Sequence, residues 1–221
     1  MKKIGLIHTT PVTIEVLKPL AAELLPGVNV INIMDDSILP QLQESDGDLS
    51  KVEKRWLNYV MYACEAGAEV IMSACSSVGE LVARARRLVP VPVLRIDEPM
   101  AEEAMTRGLN IGIAATLPTT LNPTLHLLEQ KAEQAGKTAR FFPVVAAQAY
   151  QRLLAGDSAG HDAILAETLE QLAGKVDVAV LAQASMARVL PSLPPEKREK
   201  FLTSPRSGML QLARVFSGVH G

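Results

Sequence analysis

Two stretches, "IGLIHTTPVT" from Ile4 to Thr13 and "IGIAATLPTT" from Ile111 to Thr120, repeat Gly, Thr, Pro and Thr at the same places. Each opens as a short apolar strand and passes through a polar step to a proline suited to the first turn of a helix. A second pair, "EVIMSACSSVGELV" from Glu69 and "DVAVLAQASMARVL" from Asp177, is set apart by almost the same length of chain and reads the same way: strand, polar turn, helix. Two matches at nearly one offset point to a duplicated unit.

Strand signals recur along the chain as "KKIGLIHT", "GVNVINIM", "AEVIMSA", "VPVLRI", "NIGIAAT", "ARFFPVV" and "VDVAVLAQ", with helical patterns between most of them. That alternation predicts an α/β protein of two similar Rossmann-like lobes with mainly parallel sheets and an interlobe active-site cleft lined by strand ends. The expected boundaries are 1–96 for the first lobe, 97–204 for the second, and a C-terminal helix over 205–221 that rejoins the first. Ser50 followed by Glu53 reads as a capping box for a helix over Val52–Cys64, with Gly67 closing it.

Composition narrows the function classes. The 221 residues carry 22 Lys and Arg against 24 Asp and Glu, a net charge of −2, and no basic cluster interleaved with aromatics, so nucleic acid is not an expected partner. The apolar run after Lys2 and Lys3 is broken by His8, Thr9, Thr10, Thr13 and Glu15, which fits neither a signal peptide nor a membrane span. A cytoplasmic protein with no membrane partner is expected. Two cysteines, Cys64 and Cys75, are too few for a disulfide framework. Cys64 sits at helical spacing with Trp56 and Val60 and reads as a packing residue. Neither a dinucleotide fingerprint nor a P-loop is present.

The chemistry concentrates at "SACSSVGE". A helix beginning after Ala74 leaves unpaired N–H donors near Ser76, Ser77 and Val78, a place suited to a carboxylate or a developing enolate. The same field is expected to lower the pKa of Cys75 and make it a usable base or nucleophile. His8 ends the first strand and is a candidate acid or base, or a group orienting Cys75; it equally suits a loop cap. Thr9 and Thr10, with Thr116, Thr119 and Thr120 in the second lobe, are candidate partners for a substrate's polar groups. Asp35 and Asp36 read as loop and cap residues because no His lies at ligand spacing, so no metal site is expected. Arg206, before the last helix, reads most simply as a surface residue.

These motifs, "SACSSVGE" ending one strand, "LAQASM" its counterpart and "ATLPTT" opening the second lobe, resemble the aspartate/glutamate racemase superfamily, which includes hydantoin racemases, maleate isomerases and arylmalonate decarboxylase. The resemblance implies cofactor-free proton transfer beside the carboxylate of a small acid, by two cysteines, one from each lobe. Cys75 matches the first. The second falls at Gln183, and an amide neither gives nor takes a proton usefully near neutral pH, although it can hold a carbonyl or carboxylate. Catalysis by Cys75, with His8, and substrate binding by Ser76, Ser77, Gln183, Ala184 and Ser185 together with the threonines, is the resulting expectation. The expected partners are a small carboxylate substrate and further copies of the chain in a homo-oligomer. Rival readings are a decarboxylase or other carbon–carbon lyase of the same fold, a Cys75–His8 thiol hydrolase, and a metabolite-binding protein without turnover.

Overall fold

The computed structural model describes residues 2–219; His220, to which the sequence assigns no role, lies outside them. Contacts divide the chain into two compact units, one running to Ile96 and resuming at Pro205, the other spanning Asp97–Ser204.

The first unit holds strands β1 (Lys3–His8), β2 (Asn29–Met34), β3 (Val70–Ser73) and β4 (Val93–Arg95), all parallel, in the order β2-β1-β3-β4. Its helices are α1 (Pro11–Leu24), α2 (Ile38–Glu44), α3 (Glu53–Glu65) and the short α4 (Val82–Ala85). The second unit holds β5 (Asn110–Ala115), β6 (Arg140–Val145), β7 (Val178–Leu181) and β8 (Phe201–Thr203) in the matching order β6-β5-β7-β8, again parallel. Helices α5 (Glu98–Arg107), α6 (Pro118–Gln134), α7 (Ala147–Leu154), α8 (Ser158–Ala173) and α9 (Pro195–Arg198) belong to it, and α10 (Ser204–Val219) carries the chain back to the first unit.

The strands are short and apolar because both faces of each sheet are covered. Every residue of β3 and of β7 is buried. Successive side chains of β1 go to opposite layers: Ile4 and Leu6 join Leu17 of α1 and Met209, Leu212 and Phe216 of α10, whereas Ile7 packs with Trp56 and Val60 of α3. Unit two repeats the scheme, with Ile111 and Ile113 against Met100 and Ala104 of α5 and Ala114 against Leu165 and Leu169 of α8. The paired glycines of the repeat have a packing reason. A Cβ on Gly5 would lie 3.1 Å from that of Ala63, and one on Gly112 3.0 Å from that of Ala179, so a helix or neighbouring strand takes the space.

All seven expected strands form. The eighth, Phe201–Thr203, is too short to carry a readable alternating pattern. The proposed capping box does not form: Asp48 accepts from the Ser50 N–H and caps a short 3-10 turn over Leu49–Lys51, so α3 begins at Glu53 behind Val52. Asp48, just upstream, takes the Ser50 N–H that the Glu53 carboxylate would have taken in a capping box. Asp35 accepts from the Ser37 N–H and hydroxyl and from the Tyr59 hydroxyl, and it forms an ion pair with Arg55, tying β2 to α3 as a structural residue. Cys64 is a partly buried packing residue beside Trp56's cluster, and Arg206 pairs with Glu23 on the surface of the first unit. Among the described residues no helix is long and apolar enough to cross a membrane.

Candidate active site

In the first unit the sheet ends where the Ala74 N–H bonds the Ile7 carbonyl, and the chain turns away through Cys75. Cys75 is in extended conformation, φ −137° and ψ 123°, and opens a 3-10 helix over Ser76–Leu81. In the second unit the Ala182 N–H bonds the Ala114 carbonyl and Gln183 follows with φ −128° and ψ 132°, opening a 3-10 helix over Ala184–Ser192. The two turns share register and backbone.

Cys75 retains some exposure as a residue, and it packs against the buried cluster that includes Ile7 and Val78. Burial pushes its thiol above the ordinary range, against the pull of the Thr9 hydroxyl, the Ser77 N–H and hydroxyl, and the Val78 N–H, all of which favour the thiolate. This corrects the expectation of a lowered pKa. The donors stand where the sequence placed them, but a short 3-10 helix in an apolar setting does not offset desolvation. Thr9 is buried, and its Oγ1 has no well-formed hydrogen bond to another protein group, so the hydroxyl is left to the sulfur beside it. Ser76 and Ser77 are buried in the same turn, and the Ser73 hydroxyl donates to the Cys75 carbonyl at 3.3 Å.

His8 is completely buried. Its Nδ1 lies 2.8 Å from Thr13 Oγ1, whose hydroxyl is also within reach of the Thr10 carbonyl; in the neutral ring that donates Nε2–H to Asn32 Oδ1, Nδ1 is the acceptor. Nε2 lies 3.0 Å from Asn32 Oδ1. Burial lowers its pKa, with Asn32 pulling the other way, and the ring is neutral near pH 7. Both nitrogens are thus used inside the unit, and the ring anchors β1 to α1 and β2. Thr10 contributes its carbonyl to this anchor.

The second unit brings Thr116 and Gln183 together. Gln183 Oε1 accepts from the Thr116 N–H at 2.7 Å and from its hydroxyl at 2.9 Å. With the carbonyl end held twice, the Nε2 end is left to donate outward. Thr116 therefore positions Gln183. Thr119 and Ala184 are half-buried and Ser185 is exposed, while Thr120 is buried in α6, where its carbonyl accepts from the Thr124 hydroxyl.

One residue went unread in the sequence. Arg95, at the end of β4 in register with Ser73, is buried, and its guanidinium packs so closely on Gly79 of the cysteine turn that a Cβ there would lie 2.6 Å from it. At the corresponding places of the repeat, unit two has Ala187 for Gly79 and Thr203 for Arg95. An arginine inside the apolar run "VPVLRI" was the available signal. Among the described residues no group of three His, Cys, Asp or Glu is gathered to hold a metal ion.

A pair of parallel four-stranded sheets, each with a polar turn after its third strand in chain order, defines a duplicated α/β architecture found in solved racemases. The glutamate racemase isoform RacE1 from Bacillus anthracis superimposes with a TM-score of 0.75 at 14% identity, over 98% of this chain and 82% of that one. An aspartate racemase homologue from Pyrococcus horikoshii gives 0.68 at 17% identity, over 98% and 100%. Allantoin racemase from Klebsiella pneumoniae gives 0.66 at 18% identity, over 100% and 89%. No curated protein matches in sequence. The family model Asp/Glu/Hydantoin racemase matches residues 4–203, and the chain belongs to that family. Family and fold together support a racemase or isomerase.

Proposed function

We propose that the protein is an isomerase-type enzyme acting next to the carboxylate of a small organic acid or amino-acid derivative without a cofactor, with Cys75 as its one proton-transferring thiol. The observation that carries this reading is the ring of donors, Thr9, Ser77 and Val78, aimed at a sulfur that burial keeps protonated at rest. Losing its proton to solvent leaves a thiolate that those donors stabilise; the thiolate takes the proton next to the substrate carboxylate, and the thiol so formed then returns a proton to carbon. Gln183, held by Thr116, presents amide N–H donors to a substrate carbonyl or carboxylate oxygen and moves no proton. With one thiol, proton return to the face it left, or to a neighbouring carbon, is favoured over direct two-sided inversion.

The test is solvent deuterium entry into small hydroxy, keto and amino acids, measured by NMR for the wild type and Cys75→Ser. Exchange into at least one acid, lost in Cys75→Ser and rising with pH toward the raised thiol pKa, supports the reading. Exchange into none, or exchange indifferent to Cys75→Ser, rejects it.

The resting thiol favours one second reading, a carbon–carbon lyase in which Cys75 protonates the enolate left by loss of carbon dioxide. Carbon dioxide release that falls as pH rises through the thiol pKa selects that reading. A thiol hydrolase gains less support, because both His8 nitrogens are engaged by Thr13 and Asn32.

A further inference from the structure

The duplicated frame differs between the units on one flank, where the first helix lies over the edge strand. In unit two this flank is filled by Leu121, Leu125, Leu127 and Leu128 of α6 and by Phe141 of β6. In unit one the repeat places Lys18 where unit two has Leu125, and Ala21 where it has Leu128. Strand register matches Phe141, opposite Ile111, with Val30, opposite Ile4, and likewise Pro143 with Asn32. Each change removes bulk or adds a polar group. The result is a groove of about 580 Å³ between α1 and β2, lined by apolar groups including Leu6, Ala21, Leu25 and Val30, with Lys18 and Asn32 as its polar side chains. That volume is in the range of small-molecule sites. The Lys18 ammonium has no hydrogen bond or ion pair with a described residue.

We propose that this groove binds a small monocarboxylate with an apolar body, the chain or ring lying on Ala21, Leu25 and Val30 and the carboxylate on the Lys18 ammonium. An apolar trough with a single uncompensated cation suits a molecule with one negative end; a neutral hydrocarbon leaves the ammonium unused, and a cation is repelled by it. Asn32 lines the groove and also bonds His8, so an occupant touches the residue that anchors the end of β1. The site lies within the first unit and does not use Cys75.

Sodium octanoate is the probe, titrated calorimetrically into the full chain beside 1-octanol and octylamine. Saturable octanoate binding is expected, with octanol weaker by about tenfold, the worth of one charge-assisted contact, and octylamine weaker still. Ala21→Leu with Val30→Phe, installing residues like those of unit two, is expected to abolish binding. The exposed Lys18→Glu leaves the core untouched and is expected to weaken octanoate at least tenfold, which decides the matter if the filled variant does not fold. Binding in Cys75→Ser is expected to equal wild type, separating this site from the catalytic reading. No saturable octanoate binding, octanol binding as tightly as octanoate, or affinity unchanged by Lys18→Glu overturns the proposal.

Discussion

The cysteine turn of the first unit and the glutamine turn of the second stand on the same scaffold. Each follows the third strand of a parallel sheet, each is extended at its first residue, and each has a threonine from the end of the neighbouring strand beside it, Thr9 for Cys75 and Thr116 for Gln183. Side-chain chemistry separates them. In one the threonine hydroxyl faces an ionisable sulfur and a buried arginine backs the turn; in the other, hydroxyl and N–H together lock an amide. Apolar strands and backbone hydrogen bonds keep the frame, so one residue per turn changes the chemistry without disturbing the fold.

The largest effect that would sharpen this contrast is loss of the thiol. Cys75→Ala is expected to lower exchange by about 10²–10⁴-fold, the usual worth of a positioned acid or base, with little change in melting temperature. Next comes the packing behind the turn. Gly79→Ala drives a methyl toward the Arg95 guanidinium, which is buried and held by partners of its own and so yields only by breaking them; the expected cost is about 1–3 kcal/mol in urea unfolding. Ala187→Gly at the matching place should cost only about 1 kcal/mol or less; equal costs would break the contrast.

A smaller effect concerns His8. Its pKa is lowered on folding, so the unfolded chain binds a proton that the folded chain refuses. Stability from this group is present above the ordinary value of 6.5 and is lost as pH falls below it, toward the depressed folded pKa. The expected slope is at most about 1.4 kcal/mol per pH unit. Chemical denaturation across this range should show it in the wild type and not in His8→Asn; a slope that persists assigns it elsewhere. Smallest is Thr116→Val, which removes one of two bonds to Gln183 Oε1 and is expected to raise KM several-fold with little change in kcat, on the order of 1 kcal/mol.

The architecture was legible because parallel strands buried on both faces leave plain apolar runs, as "VIMS" and "VAVL" do, and because the repeat carried over to strand order. Phe201–Thr203 was not, being too short for any period. The site was legible in part. The repeat put Cys75 and Gln183 at matching turns after the third strands, where the structure has them, but acidity depends on desolvation, which three-dimensional packing sets, and the sign for Cys75 came out opposite. The bond from Thr116 to Gln183 joins residues far apart in the chain, and the seat of Arg95 on Gly79 needs the fourth strand beside the third. Neither leaves a local trace. His8 looked available because strand ends often are; Thr13 and Asn32, which claim it, lie on two other elements.

The division of labour between the two turns is tested most directly by measuring deuterium exchange in Cys75→Ala and Gln183→Ala side by side on the same acid. The expected result is exchange at background in Cys75→Ala, and exchange in Gln183→Ala that survives at high substrate with a raised KM. Exchange that survives in Cys75→Ala and vanishes in Gln183→Ala would contradict the account.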